Sequence, residues 1–198
     1  MSTDENTKEK IIEVAIECFG EYGYDGTSMR MIAEKSGVSK PAIYYYFPDK
    51  EHLFEGIFNF IMEKFMTNLR NISNSEKNAK EKLKDILLYR FIPIKKGSMI
   101  KRFVSRIFMS ESKNIVKLDH KSLFQKQEKI IIKIIQQGID EGIFRPDIDK
   151  KLFLYSLIGI SNIITRNHIM NNEKTIDEDI VEKIFEQLLR GVGLNKNK

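Results

Sequence analysis

The stretch from Thr27 to Lys50 constrains the fold more than any other part of the chain. It reads TSMRMIAEKSGVSKPAIYYYFPDK and predicts two short helices joined by a tight turn. Gly37 supplies the positive φ that such a turn needs at no steric cost. The hydroxyl of Thr27 is predicted to cap the first helix and that of Ser39 the second, where Pro41 suits the first turn because an N–H is not needed there. We therefore expect a compact helical pair.

The apolar residues of this pair are predicted to face each other. Ile32 and Ala33 fall on one face of the first helix, and Ile43 and Phe47 point back toward them from the second. Pro48 ends the second helix because it disfavours helical geometry at the preceding residue. The three consecutive tyrosines that remain fan around the helix at about 100° per residue, so at least one must face outward. An exposed, aromatic and basic helix suits the major groove of DNA.

This stretch resembles the signature of the tetracycline-repressor (TetR) family. The matching elements are Thr27-Ser28, Ile32-Ala33, Gly37-Val38-Ser39, Ile43-Tyr44-Tyr45-Tyr46-Phe47 and Lys50. The resemblance implies an all-α protein with an N-terminal three-helix helix-turn-helix domain and a C-terminal helical domain for effector binding and dimerisation. It further implies a transcriptional regulator, a repressor by this reading, that binds a palindromic operator as a homodimer and is released by a small hydrophobic effector.

The same resemblance assigns the side chains that would meet DNA. The expected DNA-binding residues are Thr27, Ser28, Arg30, Ser39, Lys40, Pro41, Ala42, Tyr44, Tyr45, Tyr46 and Lys50. Thr27 and Ser28 would place a helix N-terminus on phosphate, and Lys50 would hold phosphate. Tyr45 departs from the family pattern, in which a basic or polar residue is common. A tyrosine offers one hydroxyl and an apolar face, which suits a thymine methyl group.

The charge distribution leaves a second function open. The net charge is +5, yet residues 1–50 carry 6 Lys/Arg against 9 Asp/Glu, a local −3. The overall basicity is therefore no evidence that the motif binds DNA, although residues 27–50 alone carry +2. The alternative is a ligand-binding or interaction protein with a helix-turn-helix-like head that no longer binds DNA specifically.

Helical periodicity continues along the rest of the chain. It predicts helices at about 7–22, 50–71, 79–91, 99–108, 118–142, 149–170 and 176–191. We assign residues 1–50 to the DNA-binding domain, about 50–71 to a connector helix, and 72–198 to the effector-binding and dimerisation domain. Asp49, Asp147 and Asp149 are candidate helix caps. The helix at 149–170 is apolar nearly all round, which predicts that the last two helices pair with those of a second subunit.

The middle helices supply the aromatic and sulfur side chains of a possible ligand cavity. Candidate pocket residues are Tyr89, Met99, Phe103, Arg106, Phe108, Phe124, Asn162 and Arg166. Polar groups that would orient a ligand are Arg90, Arg106, His120, Asn162, Arg166 and His168. The alternative for the apolar members is plain core packing. The sequence does not name the effector, the operator or the regulated genes.

Motifs of catalysis, metal binding and secretion are missing from the sequence. His52, His120 and His168 are scattered without metal-ligand spacing, and the chain holds one cysteine, Cys18, predicted to be buried. We expect no enzyme activity, no cofactor and no metal. The polar N-terminus is not a signal peptide, and no apolar run approaches the about 20 residues of a membrane span. The expected location is the cytoplasm.

Overall fold

The computed structural model describes residues 3–91, 100, 103, 120–170 and 178–192. These residues form helices and no strand, which confirms the predicted all-α class. The helices are α1 (Thr3–Gly26), α2 (Met29–Ser36), α3 (Lys40–Tyr46), α4 (Lys50–Ser73), α5 (Ala79–Phe91), α6 (His120–Asp140), α7 (Lys150–Met170) and α8 (Glu178–Val192). Among the residues described, no helix is both long and apolar enough to span a membrane. The helix predicted at 99–108 lies almost entirely outside the described residues.

Short-range capping sets several helix starts. The Asp49 carboxylate accepts the backbone N–H of His52 at 2.8 Å, and Asp149 accepts that of Leu152 at 3.0 Å. Asn78 accepts the N–H of Glu81, which binds back to the N–H of Asn78. This reciprocal pair is a capping box, which satisfies two backbone donors at once. The predicted caps at Asp49 and Asp149 are therefore confirmed.

The chain divides into two packing units. The first comprises residues 1–64 and 96–118, and the second comprises 65–95 and 119–198. Helix α4 contributes its beginning to the first unit and its end to the second. The predicted connector helix is thus shared between the two units, and the predicted domain bounds stay a prediction. Phe103 packs with the N-terminal helices.

The core of the first unit forms where α1, α2, α3 and the start of α4 meet. Phe19 lies at its centre, with ring centroids 5.3 Å from Phe54 and 6.3 Å from Phe103. Cys18 is fully buried beside it, and burial raises the pKa of its thiol above the usual value. The structure confirms the prediction of a buried cysteine.

The second unit is built from the end of α4 and from α5–α8. The start of α5 meets the end of α6, where the N–H of Ala79 donates to the Glu141 carboxylate at 2.9 Å. At the end of α6, the backbone bends so that the N–H groups of Ile143 and Phe144 both donate to the carbonyl of Gly138. Gly142 lies in this turn with a φ of +68°. The turn folds the Phe144 ring onto Gly138.

Helix α7 leaves large apolar side chains on the surface. Leu152 is 64% exposed, Tyr155 49% and Ile163 62%. With Gly159 they recur at spacings of three and four, which places them on one stripe of the helix. A Cβ atom added to Gly159 would meet nothing within 4 Å. By contrast, Val181 and Phe185 of α8 are fully buried within the unit.

Candidate nucleic-acid interface

Helix α2 is capped by Ser28. The Ser28 hydroxyl accepts the N–H of Met31 at 3.1 Å, and Ser28 has the extended backbone of a cap residue. The prediction that Thr27 caps this helix is wrong. Thr27 is 2% exposed and its hydroxyl donates to the carbonyl of Gly23 at 2.7 Å. The Thr27 side chain is thus turned into the fold, whereas that of Ser28 is exposed.

The turn and the start of α3 follow the prediction. Gly37 has a φ of +64° and ends α2. The Ser39 hydroxyl accepts the N–H of Ala42 at 3.3 Å, and Pro41 occupies the first turn of α3. Phe47 leaves the helix with an extended backbone, as expected for the residue before Pro48.

The second helix of the pair is held from one side only. Ile43 is fully buried and Phe47 is 4% exposed. Burying two such side chains contributes about 1.5–3 kcal/mol each, enough to fix the orientation of a helix this short. On the opposite side Tyr45 is 80% exposed and Tyr44 42%. The prediction that at least one tyrosine faces outward is confirmed.

The outer face of α3 is polar and aromatic. Ser39, Lys40 and Pro41 are exposed, and Ala42 and Tyr46 are partly buried. The ring of Tyr46 meets that of Tyr45 edge to face, with centroids 5.2 Å apart. The face therefore combines one ammonium group with aromatic rings that carry hydroxyl groups.

Phe47 also connects α3 to α4. A Cβ atom added to Gly56 of α4 would lie 2.6 Å from Cε1 of Phe47. Side chains essentially never approach so closely, so the ring occupies space that only a glycine leaves open. The end of α3 is thus seated directly on the backbone of α4.

Lys50 is tied into the fold rather than displayed. Its ammonium group donates to the carbonyls of Tyr24 at 2.9 Å and Thr27 at 3.2 Å. It also lies 4.2 Å from the centroid of the Tyr24 ring. These contacts hold the connection between α1 and α2 against the start of α4. The predicted phosphate contact stays a prediction, because only one N–H of the ammonium group is left for it.

Two further cations flank the pair. Arg30 is exposed on α2 and its Nε donates to the Glu34 carboxylate at 2.8 Å. An exposed pair of this kind is worth at most about 1 kcal/mol, so a phosphate can compete with Glu34. Lys8 of α1 lies 5.9 Å from the centroid of the Phe47 ring, beside the end of α3. Sequence reasoning did not place Lys8 beside α3, because no local pattern connects Lys8 to Phe47, which is distant in the chain.

The predicted effector residues separate into three groups. Phe103 belongs to the core of the first unit, where its centroid is 5.3 Å from that of Phe54. Tyr89, Phe124, Asn162 and Arg166 belong to the second unit. Met99, Arg106 and Phe108 lie outside the described residues. The assignment of Phe103 to an effector pocket stays a prediction, and in the structure its ring packs against Phe19 and Phe54.

Within the second unit, part of the predicted set meets. The Asn162 side chain accepts a hydrogen bond from Arg90, the neighbour of Tyr89. Phe124 lies 6.2 Å from Tyr155, centroid to centroid. A separate open groove of about 630 Å³ follows the outer side of α6, where Lys129, Lys133 and Lys150 line it. None of the predicted effector residues lines that groove. Within the described ranges, no cluster of His, Cys, Asp and Glu side chains has the arrangement of a metal site.

Comparison with known proteins identifies the family. The family model described as "Bacterial regulatory proteins, tetR family" matches residues 11–57, and "YsiA-like protein, C-terminal region" matches residues 58–191. The chain belongs to the TetR family. It is a DNA-binding transcriptional repressor, as the sequence predicted. A head that has lost DNA binding is not favoured.

Named relatives of this TetR-family chain are regulators. The "Fatty acid metabolism regulator protein" of Bacillus subtilis is 23% identical over 183 residues, which cover 92% of this chain and 94% of that protein. The "HTH-type transcriptional repressor KstR2" of Mycobacterium tuberculosis is 26% identical over 147 residues, 72% of each chain. The solved structure of FadR from Bacillus subtilis in complex with stearoyl-CoA matches with a TM-score of 0.75 at 22% identity, covering 92% of this chain and 98% of that one. These names are those of transcriptional regulators and not of enzymes.

Proposed function

We propose that this TetR-family repressor binds a pseudo-palindromic operator as a homodimer and is released by a long-chain acyl thioester of coenzyme A. The proposal that the protein binds DNA rests mainly on how α3 is anchored. One side of the helix buries Ile43 and Phe47, and the other leaves Tyr45 80% exposed. The effector class comes from the Bacillus subtilis regulator, whose structure was solved with stearoyl-CoA. A regulator of this kind would act in the cytoplasm without enzyme activity.

The contacts to DNA would be divided among three groups. Ser28 and Ser39 present helix N-termini, whose free N–H groups favour phosphate. Lys40 and Arg30 would neutralise phosphate charge. Tyr44 and Tyr45, with Pro41, Ala42 and Tyr46 around them, would meet base edges and sugar. Thr27 would act only by supporting the start of α2.

Dimerisation is proposed through α7 and α8. The exposed stripe formed by Leu152, Tyr155 and Ile163 supports α7 as the central contact, because large apolar side chains grouped on one face mark interaction surfaces. Two-fold symmetry would place two α3 helices about 34–36 Å apart, one turn of DNA. Ile163→Lys should dissociate the dimer in sedimentation velocity, and an unchanged sedimentation coefficient would move the interface elsewhere.

The domain assignment is proposed with one amendment. The DNA-binding head comprises residues 1–50, supported from behind by the first half of α4, and residues 72–198 form the body for effector and partner. The amendment is Phe103, which packs in the core of the head. Helix α4 serves as the connector, because it contributes to both units.

The first experiment is fluorescence anisotropy of the full-length protein with duplexes tiled across the DNA upstream of its coding region, at two salt concentrations. We expect tight, salt-sensitive binding to one palindromic duplex and its loss when stearoyl-CoA is added. Lys40→Ala should lower the affinity for every duplex, whereas Lys80→Ala, at an exposed lysine of the second unit, should leave it unchanged. Equal effects of the two variants would contradict the assignment of α3. Operator binding that persists at saturating stearoyl-CoA would contradict the effector class alone.

A further inference from the structure

Arg90, near the end of α5, holds its guanidinium group against neutral partners. Its Nε donates to the Ser161 hydroxyl at 2.9 Å, and its Nη2 donates to the Asn162 side-chain oxygen at 2.7 Å. Ser161 is fully buried and its own hydroxyl donates to the carbonyl of Ile158, so its oxygen lone pairs are left for Arg90. The Phe65 ring centroid lies 5.8 Å from the guanidinium carbon. These contacts fix the orientation of the group.

The charge of Arg90 is not balanced by these partners. Within the described residues, its recorded contacts are a hydroxyl, an amide oxygen and an aromatic ring, none of which carries a negative charge. Burial lowers the pKa of Arg90 to about 10, so its surroundings disfavour the cation. Removing a charge from water costs free energy unless an opposite charge or enough hydrogen bonds compensate. Two N–H bonds satisfy only part of a guanidinium group with five donors.

Gln127 of α6 provides a second, independent observation. Within the part of the chain that the structure describes, its Nε2 is a buried side-chain atom without a hydrogen-bond acceptor. An unpaired buried donor costs about 1–3 kcal/mol, which is a reason to look for a missing partner. The Gln127 amide is therefore a donor that awaits an acceptor.

The packing of α5 against α6 supports placing Gln127 near Arg90. The start of α5 meets the end of α6, where a Cβ atom on Gly138 would lie 3.0 Å from that of Ala79. Buried leucines of α5 and buried isoleucines of α6 continue the same core beyond that point. An antiparallel pair would bring Arg90, about three turns along α5 from Ala79, to the level of Gln127, about three turns back along α6 from Gly138.

Aromatic rings border this region. The Tyr89 ring stacks on that of Phe65, with centroids 5.9 Å apart. Burial raises the pKa of the Tyr89 hydroxyl, which marks apolar surroundings. A fixed cation, unpaired amide hydrogens and an apolar wall suit the charged end of an amphipathic molecule.

We propose that Arg90, Gln127 and Asn162 form a subsite for the anionic group of an amphipathic effector, with Ser161 as the positioning residue for Arg90. The guanidinium Nη atoms and the Gln127 amide would donate to the anion. The shared chemistry is a phosphate or a carboxylate, because both accept from a guanidinium group in the same geometry. The identity of the effector as an acyl compound rests on the proposed function, whereas the preference for an anion rests on this cluster.

The test compares two fluorescent probes with one skeleton on the full-length protein. 8-Anilinonaphthalene-1-sulfonate carries an anion, and N-phenyl-1-naphthylamine is its neutral counterpart. We expect the wild type to prefer the sulfonate, and Arg90→Gln to lose about 10- to 100-fold of its sulfonate affinity, the range for a hydrogen bond to a charged group. The affinity for the neutral probe should stay unchanged. Gln127→Leu should lower the sulfonate affinity by a smaller factor.

Two matched variants separate charge from folding. Arg70→Gln removes an exposed arginine of the same unit and should change neither affinity. Arg90→Lys keeps the charge and should retain part of the preference for the sulfonate. The proposal is overturned if the wild type shows no preference, if Arg90→Gln leaves it intact, or if Arg90→Gln weakens both probes equally. The last result would make Arg90 a purely structural link between α5 and α7.

Titrations with three acyl compounds determine whether the subsite binds a phosphate or a carboxylate. Stearoyl-CoA, stearate and methyl stearate are titrated below their micelle concentrations against the wild type and Arg90→Gln. A loss confined to stearoyl-CoA assigns the subsite to phosphate, and one confined to stearate assigns it to the carboxylate. Equal loss for methyl stearate would contradict the subsite. If the wild type binds none of the three, the proposed effector class fails, while the probe pair still decides the subsite.

Discussion

Both units of the protein seat a phenylalanine ring on a glycine, but the two contacts differ in how much they can yield. In the first unit, a Cβ atom on Gly56 would lie 2.6 Å from one edge atom of Phe47, with the next ring atoms at 3.4 Å. In the second unit, a Cβ atom on Gly138 would lie 2.2 Å from two atoms of Phe144. The Ala79 side chain lies 3.0 Å from the same point. The first contact can be relieved by a small ring rotation, whereas the second is closed on several sides.

The two contacts also differ in the part of the fold to which each phenylalanine ring belongs. Phe47 ends α3, so a shift of this ring would move the helix that we propose contacts DNA. Phe144 belongs to the turn between α6 and α7, whose backbone is fixed by two N–H bonds to Gly138. One contact is thus placed to transmit movement and the other to prevent it.

Gly138→Ala should have the largest effect on stability. Alanine gains about 1 kcal/mol of helix propensity, but overpacking a closed site costs typically about 1–3 kcal/mol and sometimes more. Because Phe144 and Ala79 are both buried, we expect a cost in the upper part of that range and a net loss of about 1–2 kcal/mol in urea unfolding. Phe144→Leu in the same chain should recover part of it. Additive losses in the double variant would contradict the close contact between Gly138 and Phe144, since residues in contact should couple.

Gly56→Ala should separate binding from stability. A ring displaced from its preferred rotamer costs about 0.5–1.5 kcal/mol, which the helix propensity of alanine nearly offsets. The free energy of unfolding should therefore change little, while operator affinity falls on the order of tenfold, or about 1.4 kcal/mol, because the end of α3 is displaced. Anisotropy and urea unfolding on one preparation measure both quantities. A large loss of stability with normal affinity would show that this contact is as rigid as that of Gly138.

Lys50→Ala and Lys40→Ala should weaken DNA binding for different reasons. Lys50 is bonded to the carbonyls of Tyr24 and Thr27, so its loss should also lower stability, by about 1 kcal/mol. Lys40 is exposed on α3, and its loss should leave stability unchanged. The slope of log affinity against log salt distinguishes the two, because each lost phosphate contact reduces it by about 0.9. An equal reduction in slope for Lys50→Ala would support its predicted phosphate contact.

The smallest effect should be a pH dependence at the start of α4. The Asp49 carboxylate binds His52 Nδ1 at 2.8 Å, which raises the pKa of His52 above 6.5. The backbone N–H of His52, and after it the ring, lower the pKa of Asp49 below 3.8. The contribution of His52 is full below pH 6.5 and is lost as pH rises through its folded pKa. That of Asp49 is present above pH 3.8 and is lost as pH falls through its folded pKa. The stability difference between wild type and His52→Gln should be larger at pH 5.5 than at pH 8. An equal difference at both pH values would show that the Asp49–His52 pair does not contribute to stability.

Sequence reasoning succeeded where the cause of a feature lies within a few residues of it. Ser39, Asp49 and Asp149 cap the helices that follow them, because the acceptor and the free N–H are three residues apart. The turn at Gly37 and the end of α3 before Pro48 depend on a single residue in the same way. Local rules therefore suffice for most of the helix-turn-helix pair.

The contacts that sequence reasoning did not foresee have causes that are distant in the chain. Thr27 and Ser28 are both chemically suited to cap α2, and the choice falls to Ser28 because Thr27 binds the carbonyl of Gly23, a residue with a φ of +74°. Lys50 is engaged by Tyr24, and Phe103 by Phe54. Periodicity identified the apolar face on which Phe103 lies, but it carries no information on which core that face joins. The DNA-contacting residues and the effector residues also depend on partners outside the local sequence, and they remain predictions.

Because Cys18 is completely buried in the first unit, the protein is suited to selective labelling of a cysteine introduced on its surface. With a single cysteine in the sequence, and burial keeping that thiol protonated and out of solvent, a fluorophore will label a cysteine introduced on the surface of α3 selectively. We expect Cys18 itself to react slowly with thiol reagents, because a reagent reaches it only when the helices around it separate. Its rate reports the opening of the first unit alone, and comparing that rate with and without operator measures how much DNA holds the unit closed.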